Sequence, residues 1–179
     1  MTPFATTVSL AQGWDQVPLT PPIEMSLQLN EDELILTATR KAPALSHPQA
    51  QPNQFLAELW KYDVAECFLS DSQSGHYLEL NLSPNGAWWA SILTAPRCHA
   101  DVPPDFDVKT ECLQSETSWR ASLRLKAWQN LFPTRFNDSE IHFNLCAILN
   151  SPHQTFHTLA PLPGKDPDFH QPEYFLPIL

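Results

Sequence analysis

The composition of this 179-residue chain favours one loop-rich β domain and argues against several other classes of protein. Hydrophobic residues make up 42% and charged residues 17%, which is ordinary for a folded domain, while 18 prolines against 4 glycines must mark many loops and strand ends. The net charge of −10, without a cluster of lysine or arginine, disfavours nucleic-acid binding.

The beginning of the chain and its cysteines suggest where the protein resides. Residues 1–7 contain no basic region and no long apolar run, so we expect neither a signal peptide nor a membrane span. The four cysteines are widely separated and form no C-x-x-C pair, which disfavours a zinc site. We therefore expect a soluble, cytoplasmic protein with reduced thiols.

The first third of the chain predicts a β-hairpin between two irregular segments. Residues 1–23 contain four prolines and are predicted to be an irregular lead-in. Residues 24–29 and 33–40 alternate between apolar and polar side chains around a turn, which predicts two antiparallel strands. Residues 41–54, with three more prolines, are predicted to be a long loop. No repeat or linker divides the chain, so one domain is expected over residues 1–179.

The middle of the chain carries the clearest local signals. Alternation predicts a strand over residues 59–69 with Glu66 on one face, and a second strand over 77–82 in which Glu79 and Asn81 oppose three leucines. The turn Ser83-Pro84-Asn85-Gly86 suits a type I turn followed by a G1 bulge at the glycine. This turn would pair Asn81 with Trp89, so Trp89 is expected on the polar face and Trp88 on the leucine face.

The remaining elements complete an all-β prediction. Strands are predicted over residues 108–114, 118–126, 140–150 and 155–160, with one helical turn over 127–131. Short strands at this spacing, most with one polar face, are typical of an antiparallel β-sandwich with one or two short helical turns.

Two segments resemble a known family. The segment Leu59-Trp60-Lys61-Tyr62-Asp63-Val64-Ala65-Glu66-Cys67-Phe68-Leu69 resembles the W-x-x-D-x-x-E-x-F segment of family 9 carbohydrate-binding modules. The strand and turn over residues 77–88, and the tail over 167–173, are similar to small bacterial DOMON-like proteins. The resemblance implies a β-sandwich of the DOMON superfamily, in which Trp60 stacks on a sugar ring and Glu66 binds sugar hydroxyls.

Two positions depart from that family pattern. Glu79 stands where the binding modules have an arginine that holds the sugar, which reverses the charge. The second tryptophan of their aromatic sandwich has no clear match, and Phe169 or Tyr174 would have to serve instead.

These observations lead to one functional hypothesis and two alternatives. The hypothesis is a non-catalytic domain that binds a small saccharide or other polar ligand on a face formed by five residues: Trp60, Glu66, Glu79, Asn81 and Trp89. One alternative is a structural or oligomerising domain with that face buried by another subunit, since the sequence leaves the oligomeric state open. The other is a glycoside hydrolase that uses Glu66 and Glu79. The chain contains no G-x-S-x-G, H-E-x-x-H or P-loop motif, so an enzyme is not expected.

The candidate residues also have structural interpretations. Trp60 would close one end of the core, and Glu66 would pair with Arg120 or Arg124. Asp63 would brace a loop; its carboxylate suits calcium, but no calcium, other metal or cofactor is predicted.

Overall fold

The protein consists of two antiparallel sheets. The structure is a computed structural model, which describes residues 2–100, 105–132 and 140–178. In chain order the strands are β1 (Phe4–Gln12), β2 (Pro18–Leu29), β3 (Glu33–Arg40), β4 (Val64–Asp71), β5 (Tyr77–Leu82), β6 (Trp88–Ala95), β7 (Cys98–His99), β8 (Val108–Gln114), β9 (Trp119–Lys126), β10 (Ile141–Leu149), β11 (Thr155–Thr158) and β12 (Leu176–Pro177). The five-stranded sheet has the order β1-β2-β3-β9-β8, and the seven-stranded sheet has the order β11-β10-β4-β5-β6-β7 with β12 also paired to β10.

The main core lies between the two sheets. Side chains alternate along each strand, so every second residue of β2, β3 and β9 points inward and meets the inward face of β4, β5 and β10. Leu36 of β3, Leu80 of β5 and Leu145 of β10 are fully buried in this cluster. The predicted antiparallel β-sandwich is therefore confirmed.

The hairpin of β5 and β6 has the predicted register. The Gly86 amide donates to the Ser83 carbonyl at 2.9 Å, the Ser83 amide donates to the Ala87 carbonyl at 2.8 Å, and Gly86 has a φ of 84°. Asn81 consequently lies opposite Trp89, and Trp88 joins the core. The proline, asparagine and glycine of the turn were sufficient to predict this pairing.

The predicted irregular lead-in over residues 1–23 is wrong. Strand β1 occupies Phe4–Gln12, and β2 begins at Pro18. The prolines are tolerated because residues 18–22 extend past the end of β3, whose pairing with β2 stops at Ile23, and because the β1–β2 register shifts between Leu10 and Gln12. A proline within a strand is compatible with the sheet wherever its missing N–H is not needed by a neighbour.

The predicted strand over residues 59–69 is partly wrong. Leu59–Lys61 is a 3₁₀ helix, the preceding Glu58 has a φ of 64°, and β4 begins only at Val64. Trp60 therefore precedes the sheet instead of lying on it. A second 3₁₀ helix, Trp128–Leu131, matches the predicted helical turn, and a third occupies Pro172–Tyr174.

The seven-stranded sheet is covered on its outer face as well. All eight residues of β4 are buried. The outward side chains of Val64 and Phe68 pack with Tyr77, Phe169 and Phe175 in a second apolar cluster, which the tail helps to form. The part of this outer face that the tail and the 3₁₀ helix at Leu59–Lys61 leave open contains the polar side chains of β4 and β5. No helix in the described ranges is long and apolar enough to cross a membrane.

Candidate functional site

A cavity of about 590 Å³ opens on the outer face of the seven-stranded sheet. All five residues predicted to form a ligand face line it: Trp60, Glu66, Glu79, Asn81 and Trp89. The volume lies within the range of small-molecule sites, about 300–1,000 Å³. The structure thus brings together residues from the 3₁₀ helix, β4, β5 and β6 that lie between Trp60 and Trp89 in the chain.

The floor of the cavity is formed by Glu66, Glu79 and Asn81. Glu66 of β4 lies directly opposite Asn81 of β5, and Glu79 is two residues from Asn81 on the same face. All three side chains are buried, with 3%, 8% and 2% of their surfaces exposed in that order. Asn81 donates a hydrogen bond from Nδ2 to Oε1 of Glu79 at 3.1 Å, while its own Oδ1 is buried and has no partner in the part of the chain that the structure describes.

The Glu66 carboxyl has no protein partner among the described residues. It makes no hydrogen bond and no ion pair there, although it is almost fully buried and lines the cavity. Pairing with Arg120 or Arg124 is therefore wrong, since both arginines lie on the five-stranded sheet and Arg124 binds Glu33 at 2.6 Å. A buried carboxyl without a partner costs free energy that only solvent or a ligand can recover.

Both carboxyls are shifted towards their protonated forms. Burial, and then the nearby charge of Glu79, raise the pKa of Glu66 well above its ordinary value. Burial also raises the pKa of Glu79 to about 7, against the opposing effect of the hydrogen bond from Asn81. Near neutral pH the floor therefore presents both proton donors and acceptors, which suits recognition of hydroxyl or amine groups.

Two tryptophans contribute apolar surface around this polar floor. The Trp60 side chain is 52% exposed, and the Lys61 ammonium lies 5.5 Å from the centre of its ring. Trp89 is half-buried and meets the ring of His99 edge-on at 5.9 Å. The interpretation of Trp60 as a core residue is therefore wrong, because a tryptophan that closes the core would be buried.

Several residues of the site were not predicted. Arg97, between β6 and β7, and Asp168, in the tail, line the cavity and form an ion pair at 3.0 Å. His170 also lines it, and its Nδ1 lies 2.8 Å from the Tyr77 hydroxyl. The sequence signal for the tail is its family resemblance over residues 167–173. That resemblance does not indicate a role for Asp168 or His170.

The two residues considered for the second aromatic position lie in different surroundings. Phe169 lines the cavity and packs on Phe68, Trp14 and Phe156. Tyr174 does not line it, and its ring is 45% exposed.

Asp63 lies outside the cavity and braces two loops, as predicted. Its carboxylate accepts hydrogen bonds from the Leu45 amide at 3.2 Å and the Ser151 amide at 2.8 Å. No group of three or more His, Cys, Asp or Glu side chains that could hold a metal ion occurs within residues 2–100, 105–132 and 140–178.

Comparison with known sequences identifies relatives along almost the whole chain. The chain is 30% identical over 180 residues to the UPF0462 protein C4orf33 homolog of Rattus norvegicus, with 92% of this chain and 83% of that protein covered. It is 28% identical over 175 residues to the UPF0462 protein C4orf33 of Homo sapiens, with 90% and 82% covered. No protein-family model matches the chain.

Solved structures with the same fold include carbohydrate-binding modules. A "putative carbohydrate-binding protein" from Bacteroides uniformis ATCC 8492 is similar with a TM-score of 0.75 and 16% identity, over 96% of this chain and 84% of that one. A family 9 carbohydrate-binding module from Caldicellulosiruptor kristjanssonii, in complex with cellotriose, has a TM-score of 0.56 and 10% identity over 87% and 73%. The predicted family 9 fold is confirmed, while membership of the DOMON superfamily remains a prediction.

Proposed function

The chain belongs to the UPF0462 family, and we propose that it is a non-catalytic domain that binds a small saccharide or another small polar ligand in the outer-face cavity. The observation that carries the proposal is the Glu66 carboxyl, which is 3% exposed, lines the cavity and has no partner among the described residues. A ligand that donates a hydrogen bond to this carboxyl would restore an interaction that folding has removed.

The polar floor supports a ligand with several hydroxyl groups. Carboxyl groups accept hydrogen bonds from sugar hydroxyls, and a protonated carboxyl also donates one. Glu66, Glu79 and Asn81 together offer such groups on two neighbouring strands. Strands hold these side chains in a fixed arrangement, so little ordering is needed when a ligand binds.

The aromatic residues support a ligand with an apolar face. A pyranose ring presents C–H groups on one side, and a tryptophan ring offers a flat apolar surface of matching size. Trp60 leaves half of its surface open at the cavity, and Trp89 lies on the same sheet face as Glu79 and Asn81. The combination of flat apolar surface and buried hydrogen-bonding groups is that expected of a saccharide site.

The alternative of an assembly surface makes a different prediction about the same face. A stable interface with another subunit buries a large area, and the centre of that area is apolar and closely packed. The cavity with two buried carboxyls at its floor favours a small ligand instead, because charged groups are depleted from the centres of such interfaces.

Calorimetric titration with soluble mono- and disaccharides tests the proposal. We expect at least one sugar, glucose and cellobiose being the first to test, to bind with millimolar or stronger affinity, and we expect Trp60→Ala to weaken that binding about tenfold by removing the stacking surface. Leu113→Ala is the control, since Leu113 is 76% exposed on β8 of the opposite sheet. The saccharide proposal is overturned if no sugar in the set binds at millimolar concentration.

A further inference from the structure

The charged groups around the cavity do not balance. Among the residues that the structure describes, five carboxyl or guanidinium groups line it: Glu58, Glu66, Glu79, Arg97 and Asp168. Arg97 pairs with Asp168 at 3.0 Å, and Glu58 pairs with Lys61 at 2.5 Å. Among the described residues, these two ion pairs leave Glu66 and Glu79, the most buried of the five, without a lysine or arginine partner.

His170, one of two histidines that line the cavity, does not supply the missing positive charge. Nε2 of His170 lies 3.9 Å from Oε2 of Glu79, beyond hydrogen-bond distance, and its Nδ1 is engaged by the Tyr77 hydroxyl at 2.8 Å. The Tyr77 oxygen already accepts a hydrogen bond from the Arg97 amide at 3.3 Å, so its own proton is available for Nδ1. Burial lowers the pKa of His170, which keeps the ring neutral near pH 7. The cavity therefore has an excess of carboxyl groups.

Three side chains with unused hydrogen-bonding capacity converge at the floor. Glu79 accepts one hydrogen bond from Asn81 and retains free lone pairs. Within the described residues, Glu66 accepts no hydrogen bond and the buried Oδ1 of Asn81 has no partner. These three side chains are neighbours on one face of β4 and β5. A primary ammonium group carries three N–H donors and one positive charge, whereas a hydroxyl carries one donor and no charge.

We infer that the preferred ligand of this cavity is an amino sugar, whose protonated amine contacts Glu66, Glu79 and Asn81 while its ring lies against the tryptophans. The inference rests on the proposed function and adds the chemical class of the saccharide. Glu79 stands where the family pattern has an arginine, so the charge at this position is reversed. We infer that Glu79 is the residue that selects a cationic ligand.

Titration calorimetry at pH 7 with three related sugars tests the inference. Glucosamine carries the amine, glucose replaces it with a hydroxyl, and N-acetylglucosamine keeps the nitrogen but removes its charge. We expect glucosamine to bind about tenfold more tightly than either of the others, because its positive charge favours the ionised form of Glu79, whose pKa is about 7, and makes charge-assisted hydrogen bonds to that carboxylate. Glu79→Gln and Glu66→Gln should each remove most of this preference.

The matched control is Glu111→Gln, an exposed glutamate on β8 of the opposite sheet, which should keep the preference. Thermal unfolding of each variant checks that it is folded. If glucose or N-acetylglucosamine binds as tightly as glucosamine, the inference is wrong and the proposed function stands; if no sugar binds, the inference and the saccharide proposal are both wrong. Butylamine is a further probe, and binding as tight as that of glucosamine would show recognition of an amine without a sugar ring and overturn the inference.

Discussion

The buried carboxyl of Glu79 should make the protein less stable as the pH rises from acid to neutral. In the unfolded chain Glu79 loses its proton near its ordinary pKa of 4.5, whereas in the folded protein burial holds the proton until about pH 7. Between these values the unfolded state gains from ionisation and the folded state does not. The contribution of Glu79 to the free energy of unfolding is therefore fully present below pH 4.5 and falls steadily as the pH rises towards 7.

The size of this effect follows from the difference between the two pKa values. A rise from 4.5 to about 7, at about 1.4 kcal/mol for each pH unit, corresponds to a loss of about 3 kcal/mol. Glutamine has nearly the shape of a protonated glutamate and does not ionise. Glu79→Gln should therefore match the wild-type protein near pH 4.5 and be about 3 kcal/mol more stable at pH 8.

Urea denaturation of both proteins at several pH values between 4.5 and 8 measures the difference directly. Titrations remote from the cavity, such as that of His157, whose pKa is lowered by burial, act on both proteins alike and cancel. A difference in the free energy of unfolding that stays constant across this pH range would refute the reasoning, because it would mean that Glu79 titrates normally in the folded protein.

Three further predictions concern a brace, a turn and catalysis. Asp63→Ala should lower the free energy of unfolding by about 3 kcal/mol, because it leaves the Leu45 and Ser151 amides without their acceptor; a loss below 1 kcal/mol by urea denaturation would argue against the bracing role. Gly86→Ala should lower the free energy of unfolding by about 2 kcal/mol, because the residue has a φ of 84° and the new Cβ would lie 3.2 Å from Oγ1 of Thr110. Gly75→Ala should lower it by about 1 kcal/mol, because Gly75 has a φ of 73° but no atom close to the new Cβ. Equal losses in the two variants would contradict the crowding at Gly86. Aryl glycosides should show no turnover in a chromogenic assay, and turnover that disappears in Glu66→Gln would support the hydrolase alternative over a non-catalytic site.

The alternation of side chains along the sequence predicted the bounds of several strands correctly. Strands β3, β5 and β8 have the predicted bounds because each has a clear alternation between a core face and an open or polar face. The Ser83–Gly86 turn defines the register of β5 and β6, so this local signal is sufficient to place Trp89 beside Asn81.

The errors arose where local and tertiary preferences differ. The prolines of residues 18–22 suggested irregular structure, but they sit where β3 has ended and the β1–β2 register shifts, so the sheet does not need their amides. The alternation of side chains extends from Val64 back to Leu59 and therefore predicts a strand there, but the backbone forms a 3₁₀ helix at Leu59–Lys61.

The floor of the site was predictable and its far wall was not. Glu66, Glu79 and Asn81 lie on adjacent strands whose register the turn defines. His170, by contrast, meets Tyr77 across 93 residues of chain, and no local pattern encodes such a contact. Asp168, also in the tail, forms an ion pair with Arg97, which is likewise distant from it in the sequence.

The crystal structure of the protein soaked with its tightest-binding sugar tests the central claim most directly. The account predicts one sugar ring in the outer-face cavity, against Trp60 and with a polar group within hydrogen-bond distance of the Glu66 carboxyl. An empty cavity in crystals whose sugar is bound elsewhere, or a sugar that leaves Glu66 without a hydrogen bond, would contradict it.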